Sequence, residues 1–455
     1  MCHFDNTHIT ALTDLINKAT QDVIAEYSAV GQAVPSLDTL QPGPFQVPEE
    51  TPTRLIRAIQ IIEAACAQLS FTVAPPGSVM VNKSLEHEEP ACLLVVTEAR
   101  IADLLLGIPE GLPASELASR SGLDAKKLTR ILRLLATKHC FKEITPGVFA
   151  NNRLSMKLLS SDTVSSIVCL LTDESLRASA YLNDTLTDPS EMDGGIPFRR
   201  ATGYPFFDFH KTRFPRAMVG WGDVTGKGFL AKVYPWTSQP ADTTVCDIGG
   251  GNGHVTMSLM KAHPHIKLVL QDQPQVIEMA RKFWAKEYPK AIENQRVEFV
   301  PFDFFKDPAV QGCDFYYVCL RDWPDAESEI ILKNVRKAMK PSSRVIIRTL
   351  SVDIKIFCCF SDVRPDDTVL RNAVHTHETS SNEGTVQLDI APKPLLPNYG
   401  VARVRTYELD MTMMNLLNAQ ARTLPEFIEL GKKCGLKFEN LYEAGEVDLV
   451  EFSPI

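Results

Sequence analysis

The chain has 455 residues, 44% of them apolar and 23% charged, the proportions of a globular protein with enough core for two or three domains. Its net charge of −9 argues against nucleic-acid binding, which needs a basic field. There is no run of about 18 apolar residues and no signal-peptide core, so no membrane span is expected; eleven cysteines, odd in number and without metal-ligand spacing, read as reduced thiols of a cytoplasmic protein with no metal site.

Residues 8–31 and 50–72 carry helical periodicity. In the second, Leu55, Ile59, Ile62, Cys66 and Leu69 recur at alternating steps of four and three, which places them on one predicted buried face. The proline-rich segment 32–48 between them reads as a linker, and Ala74–Gly77 as a break. Residues 1–90 thus form an N-terminal helical extension.

From 91 to 160 the pattern is compact. Helices are predicted over Thr97–Leu105, over 111–122 with Gly122 as the stop, and over Asp124–Thr137, where Leu128, Ile131, Leu132 and Leu135 share a face. A hairpin around Pro146-Gly147 follows. Helix–turn–helix plus hairpin is a winged-helix pattern. Lys126, Lys127, Arg130 and Arg133 would suit DNA, but in an acidic chain the pattern reads as a structural or dimerising unit.

Residues 161–240 read as a helical linker and pocket region. Phe206, Phe207 and Met218, with nearby aromatics, are either core or the wall of an apolar cavity. From 241 to 455 strand and helix alternate. Strands are expected at Thr244–Asp247, Lys267–Gln271, Val297–Pro301, Asp314–Cys319 and Ser343–Thr349, with helices between them. This predicts a doubly wound parallel sheet that takes ligands at the carboxyl ends of its strands. Residues 351–398 read as an insertion. A Met-rich helix (Met411, Met414) and a closing antiparallel pair end the chain.

The chemistry concentrates after the first of these strands. Asp247 leads into Gly249, Gly250, Gly251 and Gly253, a turn that lets backbone approach a ligand and aims free helix N–H groups at it. No G-K-[ST] follows, which speaks against a triphosphate site. Asp272, about 20 residues on, suits either a ribose diol or a helix N-cap. Asp303-Phe304 offers a carboxylate beside an aromatic edge, for an adenine or for a strand-end turn.

Four motifs, V-C-D-I-G-G-G-N-G-H at 245–254, L-Q-D-Q-P at 270–274, F-V-P-F-D-F-F at 299–305 and R-D-W-P-D-A-E at 321–327, occur in order. Together the chain resembles the plant and fungal S-adenosylmethionine-dependent O-methyltransferases, most closely the fungal branch. The resemblance implies a Rossmann-like methyltransferase domain behind a winged-helix dimerisation domain, and hence a homodimer acting on a small molecule. It further implies that Gly249–Gly253, Asp272, Asp303 and Phe304 hold the cofactor. The family's catalytic histidine, immediately before D-W, is here Arg321, followed by Asp322. Arginine stays protonated and cannot serve as a base.

Three functions are compatible with that replacement. One is methyl transfer to the hydroxyl of an aromatic or polyketide-like metabolite, with Arg321 holding an oxyanion and Asp322 as a possible base. A second is a pericyclic or dehydrative step promoted electrostatically by Arg321 beside bound cofactor. The third is a catalytically impaired binding member.

Overall fold

The computed structural model of the chain describes residues 6–191, 194–209, 213–350, 391–396, 398–444 and 447–455. It divides into two compact units, Met1–Val224 with Ile390–Arg405, and Thr225–Asp389 with Thr406–Ile455.

In the first unit, helices Thr7–Ala29 and Thr53–Val73 match the predicted pair. The predicted apolar face is partly wrong. Leu55, Ala58, Ala64 and Ala65 are buried, whereas Ile59 is 41% exposed and Cys66 lies at the surface. Small alanines let the helices approach closely, and that selected the packed face over the one with the larger side chains. Among the described residues, helix Thr53–Val73 is long and apolar enough to cross a membrane by length and composition alone, although polar and charged residues interrupt it. Residues 391–396 and 398, assigned above to the insertion, belong to this unit. Ala391 and Leu395, with the adjoining Tyr399, pack on Leu12, Ala64 and Ala65.

The predicted helix at 97–105 lies earlier and is broken. It runs over Glu88–Glu98, then Arg100 takes a left-handed φ of 52° and a short turn follows at Ile101–Leu104. The following elements match. Helix Ala114–Ser121 stops at Gly122 with φ 75°, and Asp124 caps helix Ala125–Thr137 by accepting from the Lys127 amide. Strands β1 (Leu112–Pro113), β2 (Lys142–Thr145) and β3 (Val148–Ala150) form an antiparallel sheet in the order β1-β3-β2. Leu117, Leu128, Leu132, Leu135 and Phe149 build the core between helices and sheet. Arg133 forks onto Glu143 at 3.0 and 2.6 Å, so one of the basic residues on that helix ties it to the hairpin.

The second unit holds a seven-stranded sheet. Its strands are β4 (Thr244–Ile248), β5 (Lys267–Asp272), β6 (Val297–Pro301), β7 (Phe315–Cys319), β8 (Arg344–Leu350), β9 (Leu436–Ala444) and β10 (Val447–Pro454). Their order is β6-β5-β4-β7-β8-β10-β9. The first five are parallel, and β10 returns antiparallel to β8. Alternation along the strands makes two cores. Cys246, Ile248, Tyr316, Val318 and Ile347 face one layer, while Val245, Phe315, Tyr317, Ile346 and Leu449 face the other. The strand order reverses between β4 and β7, which opens a crevice at their carboxyl ends. The rest of the predicted insertion, 351–390 and 397, lies outside the described residues.

Candidate active site

The glycine loop leaves β4 at that crevice. Gly249, Gly251 and Gly253 have φ of 66°, 61° and 74°, a region that costs other residues about 1 kcal/mol or more. Gly250 is required for space instead. A Cβ there would stand 2.5 Å from both an Asp247 carboxylate oxygen and Leu270. At Gly253 it would meet the Trp284 indole nitrogen at 2.9 Å, and that nitrogen donates to the Asn252 carbonyl at 2.8 Å. A Cβ on Gly251 would meet nothing, so the loop presents an open backbone side there. Helix His254–Ala262 starts directly behind it.

Two aspartates brace the loop. Asp272 is the last residue of β5 rather than the residue beyond it. Its carboxylate accepts from the Gly251 amide at 2.8 Å and the Gln273 amide at 2.7 Å. Burial raises its carboxyl above the ordinary range, opposed by those two amides. Asp247 lies under the loop, 3% exposed, and accepts from Thr256 Oγ1 at 2.6 Å. Burial pushes its carboxyl up to about 7, against the pull of Thr256.

The other motifs converge on the same place. A Cβ on Gly249 would lie 3.1 Å from Phe304, so that ring borders the loop. Phe304 and Phe305 meet Trp323 edge to face at 5.3 and 5.0 Å, joining F-D-F-F to R-D-W-P-D. Asp303 is engaged locally: it accepts from the Phe305 amide and from Lys306 at 2.7 Å, and the Lys306 bond holds its carboxyl below the usual range. Because Ile248 pairs with Val318, the residues that come next, Gly249 just after β4 and Cys319 at the end of β7, start out side by side. Arg321 and Asp322 therefore stand at the switch point. Burial raises the Asp322 carboxyl, and the Arg321 charge works against it.

Sequence reasoning missed Arg348. It pairs in register with Cys319, lies within electrostatic reach of it together with Arg321 and Asp322, donates to Thr225 Oγ1 at 3.2 Å and lies within electrostatic reach of the buried Tyr317. The available signal was a charged residue near the carboxyl end of an otherwise apolar strand, R-V-I-I-R-T-L.

The predicted acceptor residues divide between the units. In the first, Phe206 is 7% exposed and belongs to a ring cluster with Phe198, Phe207 and Phe214; Phe207 is 38% exposed and Met218 half-buried. In the second, helix Val404–Leu417 buries Thr412, Asn415 and Leu416, leaving Met411 exposed and Met414 half-buried. Among the described residues no cluster of three or more His, Cys, Asp or Glu is arranged for a metal.

A braced glycine loop at the switch point of a doubly wound sheet, facing a charged pair, defines an α/β enzyme of the kind that binds a nucleoside-type ligand beside a second substrate. Family models narrow this. The O-methyltransferase domain matches residues 180–355 and the O-methyltransferase dimerisation domain residues 85–161. A 3-O-methyltransferase 2 of Phanerochaete chrysosporium is 45% identical over 98% of this chain and 97% of its own. The solved structure of LaPhzM is 25% identical, with a TM-score of 0.65 over 84% of this chain and all of that one. LepI in complex with SAM is 20% identical, covers 90% of this chain and 96% of its own, has a TM-score of 0.65 and shows the shared fold alone. The chain belongs to the O-methyltransferase family and is a methyltransferase carrying that family's dimerisation domain.

Proposed function

We propose that the second unit binds S-adenosylmethionine on the Gly249–Gly253 loop, and that the chain methylates a hydroxyl of a small aromatic or polyketide-like metabolite, working as a homodimer through residues 85–161. The observation that carries this is the meeting of Gly249, Phe304 and Trp323 at the switch point, which gathers the loop, the F-D-F-F strand end and the Arg321-Asp322 pair. The residues fit the cofactor. Gly251 leaves an open backbone side, the positive end of helix His254–Ala262 lies directly behind the loop, and Asp272 keeps acceptor capacity beyond its two amides. When bound, the cofactor supplies an electrophilic methyl group.

The chain's own residues do the rest. Arg321 holds negative charge on the acceptor oxygen by a fixed positive charge in a partly enclosed site. Asp322, with its proton affinity raised by burial, takes the hydroxyl proton as the oxygen attacks. The relative's name, a 3-O-methyltransferase, supports an oxygen as the methyl acceptor.

The test is label transfer from S-adenosylmethionine to a panel of phenols. Arg321→Ala is expected to lower kcat about 100-fold. Asp322→Asn shifts the rate towards high pH, where the phenol ionises unaided. Cofactor binding without transfer to any phenol overturns the reading. The replacement of histidine by Arg321 would then favour a pericyclic or dehydrative step, which Arg321→His should abolish.

A further inference from the structure

Arg422 is 2% exposed in the second unit, in a segment that none of the motifs above includes. Its donors go to the loop that carries Arg321 and Asp322 and to the helix that follows that loop. Its Nη1 donates to the Leu320 carbonyl at 3.1 Å, and its Nη2 to the Trp323 carbonyl at 2.7 Å and to Ser328 Oγ at 3.1 Å. Its Nε donates to Asp325 Oδ1 at 2.8 Å. The two carbonyls flank Arg321-Asp322 on either side, so one planar guanidinium grips the loop before and after the pair. Asp325 extends the grip to helix Asp325–Ala338, of which it is the first residue.

The arginine is itself anchored. The neighbouring Ala421 amide donates to Asp410 at 2.6 Å, and Thr423 forms a reciprocal capping box with Glu426 on helix Leu424–Lys433. A buried arginine is costly unless its donors are satisfied, and here two backbone carbonyls of one short loop and two side-chain oxygens of the helix after it meet them. Lysine has no rigid fork and would not span both carbonyls.

We propose that Arg422, with Asp325, is a positioning residue for the transfer step: it fixes the Leu320–Asp325 backbone and so sets where Arg321 and Asp322 stand. This rests on the reading that Arg321 and Asp322 serve the reaction. The glycine loop is braced separately, by Asp272 and by the Gln271 carbonyl, which accepts from the Gly249 amide at 2.9 Å. Loss of Arg422 should therefore spare cofactor binding and cost turnover.

The experiment uses the full chain, labelled S-adenosylmethionine and the phenol of the panel that accepts most label. Arg422→Ala is expected to lower kcat about 100-fold, the scale of a 1 Å misplacement, with cofactor Kd within about twofold of the parent. Added guanidinium chloride should restore part of the rate, and Arg321→Ala/Arg422→Ala should be no slower than Arg321→Ala alone. Full kcat in a folded Arg422→Ala protein, multiplying losses in the double variant, or no rescue by guanidinium overturns the proposal. If Arg422→Ala does not fold, Asp325→Asn decides. Its side chain is 67% exposed and its loss weakens the Nε bond, together with a long contact from Gln420 at 3.4 Å, while leaving both carbonyl bonds in place, so a several-fold fall in kcat supports the role and an unchanged kcat overturns it. Full activity in Arg321→Ala would instead overturn the underlying reading of the site.

Discussion

Gly250→Ala tests the loop most directly, because Gly250 has none of the left-handed φ of its neighbours and its requirement is purely spatial. The added methyl would begin 2.4 to 2.5 Å from the Asp247 carboxyl and Leu270, about 1 Å inside ordinary contact. Neither neighbour yields easily. Asp247 is held by Thr256 at 2.6 Å, and Leu270 is 0% exposed within β5. Overpacking of this kind costs about 1–3 kcal/mol. If the loop gives way, that strain converts to about a 5- to 150-fold loss of S-adenosylmethionine affinity, read by titration calorimetry. If the core gives way, the same energy lowers the melting temperature by about 2–12 °C, read by thermal unfolding. Gly251→Ala is the comparison: it meets no atom, so only the backbone strain at φ 61°, about 1–2 kcal/mol, should lower its stability. Gly250→Ala with parental affinity and melting temperature would refute both the packing beneath the loop and its place in the cofactor site.

Three further outcomes follow from buried groups. The folded-state pKa of Asp247 is raised from 3.8 to about 7, so its contribution to stability is fully present below pH 4 and is lost as pH rises through 7. A shift of that size amounts to at most about 4 kcal/mol, and Asp247→Asn should flatten the melting temperature against pH over that window. Trp284→Phe removes the donor to the part-buried Asn252 carbonyl and should cost about 1–3 kcal/mol in chemical denaturation, with weakened cofactor binding as its second sign. Leu132→Ala in the dimerisation domain, at a side chain that is 0% exposed, should cost about 2–5 kcal/mol and leave cofactor affinity unchanged.

Much of the catalytic unit was legible in the chain. Most of the parallel strands are short, nearly continuous apolar runs bounded by polar residues, so their spans differ from expectation by a residue or so, and Val297–Pro301 coincides with β6. The glycine cluster, Asp272, Phe304 and the Arg321-Asp322 pair were visible because backbone freedom, acidity and aromaticity are properties of single residues. The helix stop at Gly122 was equally local, the glycine taking a φ of 75°.

What the chain did not disclose depends on packing between distant segments. Helix Thr53–Val73 buries alanines in preference to Ile59 because close approach, a property of two helices, decides which face is inside. Residues 391–396 look like part of a polar insertion, yet Ala391 and Leu395 close on Leu12 from more than three hundred residues away. Arg348 and Arg422 become significant only when β8 is laid beside β7 and the segment before Leu424 is folded onto the Leu320–Asp325 loop. Single residues and local periodicity are written in the sequence; which carbonyl a buried guanidinium reaches is set only when the tertiary structure brings the two together.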